Sequence, residues 1–211
     1  MRTKALALIL IIVLISFLGF ITENLFIYFR KGFIDNRNMV LPFLLGYGIS
    51  VFLIYKLFGT PDKPLFFGQE VIVKNGFIGF IYYFIIALLC VMVGELILGH
   101  LVEWICDIKW WDYSTIPFSI TRYTSIPTSA VFSLLITVFM KYLFSPLMDI
   151  FTTKMNPRLL CVLALSLIVL LSVDFIHSGI YMLNHHKTLD IWKIDLGKPL
   201  KQMLIDMKGS S

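Results

Sequence analysis

Between Gly76 and Asp107 the chain reads GFIGFIYYFIIALLCVMVGELILGHLVEWICD. No charge interrupts it before Glu95, and it exceeds the roughly 20 residues a helix needs to cross the hydrocarbon core. It is expected to be one spanning helix, tilted or protruding at its far end. Its last turns are polar on one side. With Glu95 at the origin of a helical wheel, Gly99 falls at about 40°, Glu103 at about 80°, Asp107 at about 120° and His100 at about 140°. Ile97, Leu98, Leu101, Val102 and Ile105 take the remainder. Such a stripe faces protein or water. A helix simply leaving the bilayer has the same wet face; the functional alternative makes Glu95 and Glu103 pore-lining, substrate-binding or metal-ligating groups.

Similar apolar runs lie on both sides of this one. The 211 residues are 58% hydrophobic and 15% charged, with mean hydropathy +0.86, which no ordinary soluble domain shows. Helices are expected over about 5–29, 39–58, 76–107, 124–143 and 159–183. Pro42 would sit in the first turn of the second, where a missing N–H costs little. Residues 59–75 read as a loop, and 144–157, with Pro146 and Pro157, as a turn region. The fold expected is an all-α integral membrane protein of about five transmembrane helices in one bundle, spanning residues 1–184 in the cell membrane. The polar tail, 185–211, would be interfacial or partly disordered. Arg2 and Lys4 before an apolar run imitate a secretory signal, but no small-x-small cleavage site follows, so this run is taken as a retained first helix.

The net charge of +5 is spread over tails and loops. That speaks for contact with anionic lipid heads and against a nucleic-acid partner. Cys90, Cys106 and Cys161 lie far apart and suggest neither a disulfide framework nor a zinc site. Eight Lys and Arg lie on the N-terminal side of the predicted spans. Five lie on the other side, with five more in the tail. Weighting the short loops puts the N-terminus in the cytoplasm and the polar cluster outside, whereas weighting the tail reverses the orientation.

Alternating topology places the polar span-ends on one membrane face, and ionisable residues at such depth are costly and default to a functional role. Glu23 and Asn24 end the first span at the depth of Glu95, so the two carboxylates could meet across the bundle. A shared proton or a cation such as Arg37 or Arg122 would then be required. A structural ion pair with one of those arginines is the plainer reading and is favoured over a catalytic pair. Asp174 and His177 share a face of the fifth helix. The run Trp110-Trp111-Asp112-Tyr113-Ser114 suits an interfacial aromatic belt with turn residues, and His185-His186 point different ways. No G-x-x-x-x-G-K-[ST], H-E-x-x-H or G-x-S-x-G is present, so the chain is not itself a transport ATPase of the P-loop type. No cofactor and no defined metal-ligand set is assigned, and metal ligation by the carboxylates with His100 or His177 stays an alternative.

The order Glu23, Asn36-Arg37, Pro42-Phe43, Tyr47-Gly48, Glu95, Glu103, Trp111-Asp112-Tyr113-Ser114, Pro117-Phe118 and Arg122 resembles the bacterial family labelled putative ABC-transporter type IV, over about residues 14–150. That family carries Asn-Arg-Gly, Gly-Pro-Phe and Tyr-Gly. Paired glutamates, Trp-Asp-Tyr-Ser, Pro-Phe-Asn and Gly-Arg follow. Here Asn38, Leu41, Ser119 and Thr121 replace a Gly, a Gly, an Asn and a Gly, which marks a divergent member. The resemblance implies a multi-pass permease-type subunit, working with a separate ATPase subunit or as a homo-oligomer. The site would lie between helices one, two, three and five. Glu23, Asn24, Arg37, Glu95, Glu103, Trp111, Asp112, Tyr113, Ser114 and Arg122 are the candidate substrate-binding residues, with Arg37, Arg122 and Asp112 as counter-charges. The alternatives are a membrane-embedded enzyme acting on a lipid headgroup and a non-catalytic partner of another membrane protein.

Overall fold

The computed structural model describes residues 2–197 and 199. Its main elements are five helices: α1, Arg2–Lys31; α2, Leu45–Phe58; α3, Gly76–Cys106; α4, Ile126–Lys154; and α5, Pro157–His185. Four of them are long and apolar enough to cross a membrane, and the molecule is an all-α membrane protein. The other, α2, has 14 residues, about 21 Å of helix against a hydrocarbon core of about 30 Å. Short strands complete the ends. β1, Phe33–Asp35, pairs antiparallel with β5, Lys193–Asp195, while β2, Gly59–Thr60, β3, Lys63–Phe66, and β4, Gln69–Glu70, form a meander at the opposite end.

The core lies where α1 packs with α2, α3 and α4, around Ile11, Ile15, Val51, Ile54, Tyr83, Phe139 and Met140. The outer faces stay apolar: Leu89, Val93, Ile97 and Trp104 on α3 and Val162, Val169, Val173 and Ile176 on α5 are exposed. Within a bilayer those faces meet lipid, because the helices satisfy their own backbone groups. Gly48 lets α1 and α2 touch, since a Cβ there would run into the Ile12 carbonyl.

Two boundaries differ from expectation. α2 begins at Leu45, so Pro42 precedes the helix. Residues 39–44 are instead an irregular segment: Val40 and Leu41 donate their N–H groups to Asp174 (2.9 Å each), and Leu44 donates to the Ser16 carbonyl (2.9 Å). The expected turn over 144–157 is helix as far as Lys154, with π-helical turns at Phe139–Leu143 and Ile150–Lys154. In the first of these the Phe144 N–H reaches back five residues to Phe139. This shifts the carbonyl register just ahead of Pro146, the kind of local adjustment that tolerates proline in membrane helices.

The described part of the tail folds back over the α1–α2 connection. Asn36 donates to the Leu189 carbonyl (2.6 Å) and accepts from the Ile191 N–H (3.2 Å), and Trp192 packs edge-on against Phe20. The remaining tail, where interfacial helix or disorder is expected, lies outside the described residues.

Candidate functional site

The C-terminal ends of α1, α3 and α5 and the N-terminal ends of α2 and α4 share one face of the bundle. The Tyr47 hydroxyl at the start of α2 donates to Glu23 near the end of α1. Gly19, one turn before Glu23, makes this reach possible: its missing Cβ leaves room for the Tyr47 ring, whose Cγ would lie 2.7 Å away from one. Arg37 stands 3.6 Å from Glu23 and 3.4 Å from Asp35. It is held by a left-handed backbone (φ 49°) and by an N–H bond to the Asp35 carboxylate.

On the other side, Glu95 of α3 meets the start of α4. Its Oε2 accepts from the Thr124 hydroxyl (2.8 Å) and the Ser129 hydroxyl (2.8 Å), which are themselves 3.1 Å apart. Thr124 and Ser129 are fully buried. Among the described residues Glu95 has no cationic partner within ion-pair distance. Tyr113 joins the two halves. It is buried, packs edge-on against Phe26 with ring centroids 6.2 Å apart, and its hydroxyl is pushed well above the ordinary tyrosine range. Burial is the main cause, followed by the charges of Glu23 and then Glu95, with Arg37 and Arg30 acting the other way. The phenol thus senses both carboxylates.

Glu103 stands apart. It accepts from the Tyr123 hydroxyl (2.7 Å) and pairs with Arg122 (3.3 Å), and both members of the ion pair are substantially exposed. Tyr123 is buried against Gly99, where an added Cβ would lie 2.3 Å from the ring's Cγ. Its hydroxyl is pushed up to about 12, first by burial and then by the bond to Glu103. Trp111 donates its ring N–H to the Tyr123 carbonyl (2.8 Å), and the Tyr113 N–H donates to the Arg122 carbonyl (2.7 Å). These bonds fold residues 107–125 into a lid over the α3–α4 end.

Asp112 is exposed and caps its own turn through the Ser114 N–H (2.8 Å), a bond that holds its carboxyl below the ordinary range. Ser114 is exposed as well. Asn24 is buried and structural, accepting from the Asp35 N–H (2.9 Å) and donating to the Phe20 carbonyl (3.2 Å). Asp174 is spent on Val40 and Leu41, and His177 is exposed.

The candidate residues therefore split. Glu23, Arg37, Glu95 and Tyr113 come together, joined by Tyr47, Thr124 and Ser129. Glu103, Arg122 and Trp111 belong to the lid, and Asn24, Asp112 and Ser114 to local structure. The inner group lies between α1, α2, α3 and α4, with α4 in the place expected for the fifth helix. Missed at the sequence level was the buried hydroxyl row Ser125, Ser129, Ser133 and Thr137. Its four-residue spacing marks one face of α4 and could have shown which side receives Glu95. No three His, Cys, Asp or Glu side chains among the described residues are grouped to hold a metal.

The family described as Putative ABC-transporter type IV matches residues 10–179. The chain belongs to this family. Its match takes in the whole inner group and the lid, from Glu23 to Ser129. No curated protein and no solved structure matches the chain.

Proposed function

We propose that this member of the putative ABC-transporter type IV family is the membrane-spanning, permease-type subunit of a transporter, with its binding site between α1, α2, α3 and α4. One observation carries this reading: two carboxylates on spanning helices flank the buried Tyr113 phenol, Glu23 paired with Arg37 and Glu95 without a cation. Buried charge inside a span is expensive unless it serves a path or a partner. Glu23 and Glu95 would engage a cation or the polar part of a substrate, and Arg37 would balance the pair. The Glu103–Arg122–Tyr123 group would hold the lid rather than touch the substrate.

The family description supports an ATP-driven system, and the chain carries no phosphate-binding loop. It would therefore act with a separate ATPase subunit, and with a second membrane subunit or a second copy of itself. The N-terminus would lie in the cytoplasm. The test is affinity purification of the tagged chain from its native membranes in mild detergent. An ATPase subunit should copurify, its hydrolysis altered by Glu95→Gln and spared by Glu103→Gln. Recovery of the chain without any nucleotide-binding protein would overturn the reading.

A further inference from the structure

Oε2 of Glu95, Oγ1 of Thr124 and Oγ of Ser129 form a triangle with sides of 2.8, 2.8 and 3.1 Å. Each hydroxyl brings one proton. With Glu95 ionised, both protons point at the carboxylate and the Thr124–Ser129 contact holds none. One more proton, placed on Glu95, completes the ring: Glu95 donates to Thr124, Thr124 to Ser129, and Ser129 to Glu95. The same three oxygens therefore accommodate both forms of the carboxyl without moving.

The surroundings favour adding that proton. Glu95 lies 11 residues before the end of a 31-residue helix, about 16 Å from the end of a rod about 46 Å long. If a core of about 30 Å is centred on that rod, Glu95 sits roughly 8 Å inside it. The charged and titratable groups facing this corner are Glu23 on α1, Arg37 in the α1–α2 connection, Tyr47 on α2 and Tyr113 in the lid. On α3 itself, His100 and Glu103 lie one and two turns on. α4 contributes only hydroxyls at this point. Arg37 is committed to Glu23 and Asp35, and Arg122 to Glu103. A carboxylate left without a cation at this depth is neutralised most cheaply by a proton.

We infer that Glu95 is a proton-binding group, loaded with H⁺ in the conformation described. This rests on the reading of the inner group as a transport site, but its test does not depend on an ATPase. Infrared difference spectroscopy of the purified full-length chain in lipid nanodiscs, at neutral pH in H₂O and in D₂O, should show a protonated-carboxyl C=O band. The band should vanish in Glu95→Gln and persist in Glu23→Gln and Glu103→Gln. Ser129→Ala, which keeps the carboxyl and removes one hydrogen-bond partner, should shift the band rather than abolish it. That variant keeps the test decisive if Glu95→Gln fails to fold. A band unaffected by Glu95→Gln and by Ser129→Ala would overturn the assignment. So would loss of the wild-type band on adding sodium chloride at constant pH, which would make the occupant a metal cation. If the band behaves as expected and no ATPase copurifies, the proton site stands and the ABC reading falls.

Discussion

Two tyrosines reach their carboxylates only because a glycine faces each ring. Gly99 gives way to Tyr123 as Gly19 does to Tyr47. Gly99→Ala should therefore lower the thermal unfolding midpoint in detergent by an overpacking cost of about 1–3 kcal/mol. Gly94→Ala on the same helix meets open space and should be neutral or stabilising by about 0.5–1 kcal/mol. Equal losses in both variants would show that the cost does not come from the Tyr123 ring, because Ala is the better helix former at either position. Tyr123 also predicts an alkaline effect. Its folded value of about 12 lies above the ordinary 10.0, so the folded state holds this proton more tightly. The resulting stability is complete below about 10 and lost as pH rises through about 12. Ultraviolet titration should show a late tyrosinate component that Tyr123→Phe diminishes. At this scale the sequence was informative about which residues are unusual and silent about their partners. Arg37 and Arg122 were equal candidates for either glutamate, because a wheel gives a direction on one helix and not the neighbour it meets. Asn38 is left-handed at φ 64°, a conformation that Asn tolerates better than most residues.

Helices are legible when their apolar pattern is long, which is why α1, α3 and α5 fall close to their expected limits. α2 and α4 do not, for two different reasons. The start of α2 is set by acceptors far away in sequence, Asp174 and the Ser16 carbonyl, which no local pattern displays. Pro146 reads as a break because an α-helix cannot supply its missing bond, whereas a π turn ahead of it changes which carbonyl needs one. Asp174→Ala would strand the N–H groups of Val40 and Leu41 away from their charged acceptor. It should cost about 1.5–3 kcal/mol and raise proteolytic cleavage within residues 39–44. His177→Ala, on the exposed side of α5, should do neither.

For the whole molecule, five helices in alternation put the N-terminus and the end of α5 on opposite sides, with the β2–β4 meander beside the N-terminus. Reporter fusions at the N-terminus and after Gly197 should give opposite answers, and a reporter inserted near Gly68 should agree with the former. Agreement between the two ends would mean that the short α2 turns back within the bilayer. Membrane character was plain from composition, and the shared polar face followed from counting spans. The division of that face into an inner group and a lid was hidden, since it depends on how residues 107–125 fold. β1 and β5 are separated by about 160 residues of chain, and that separation orders assembly in time. Asn36 and Asn38 wait for Leu189 and Ile191, which leave the ribosome only after every spanning helix. Contacts so distant in sequence are slow to close. The tail is therefore the clasp that fastens last, and a released chain truncated before Leu189 would present its finished bundle with the first connection still open to water.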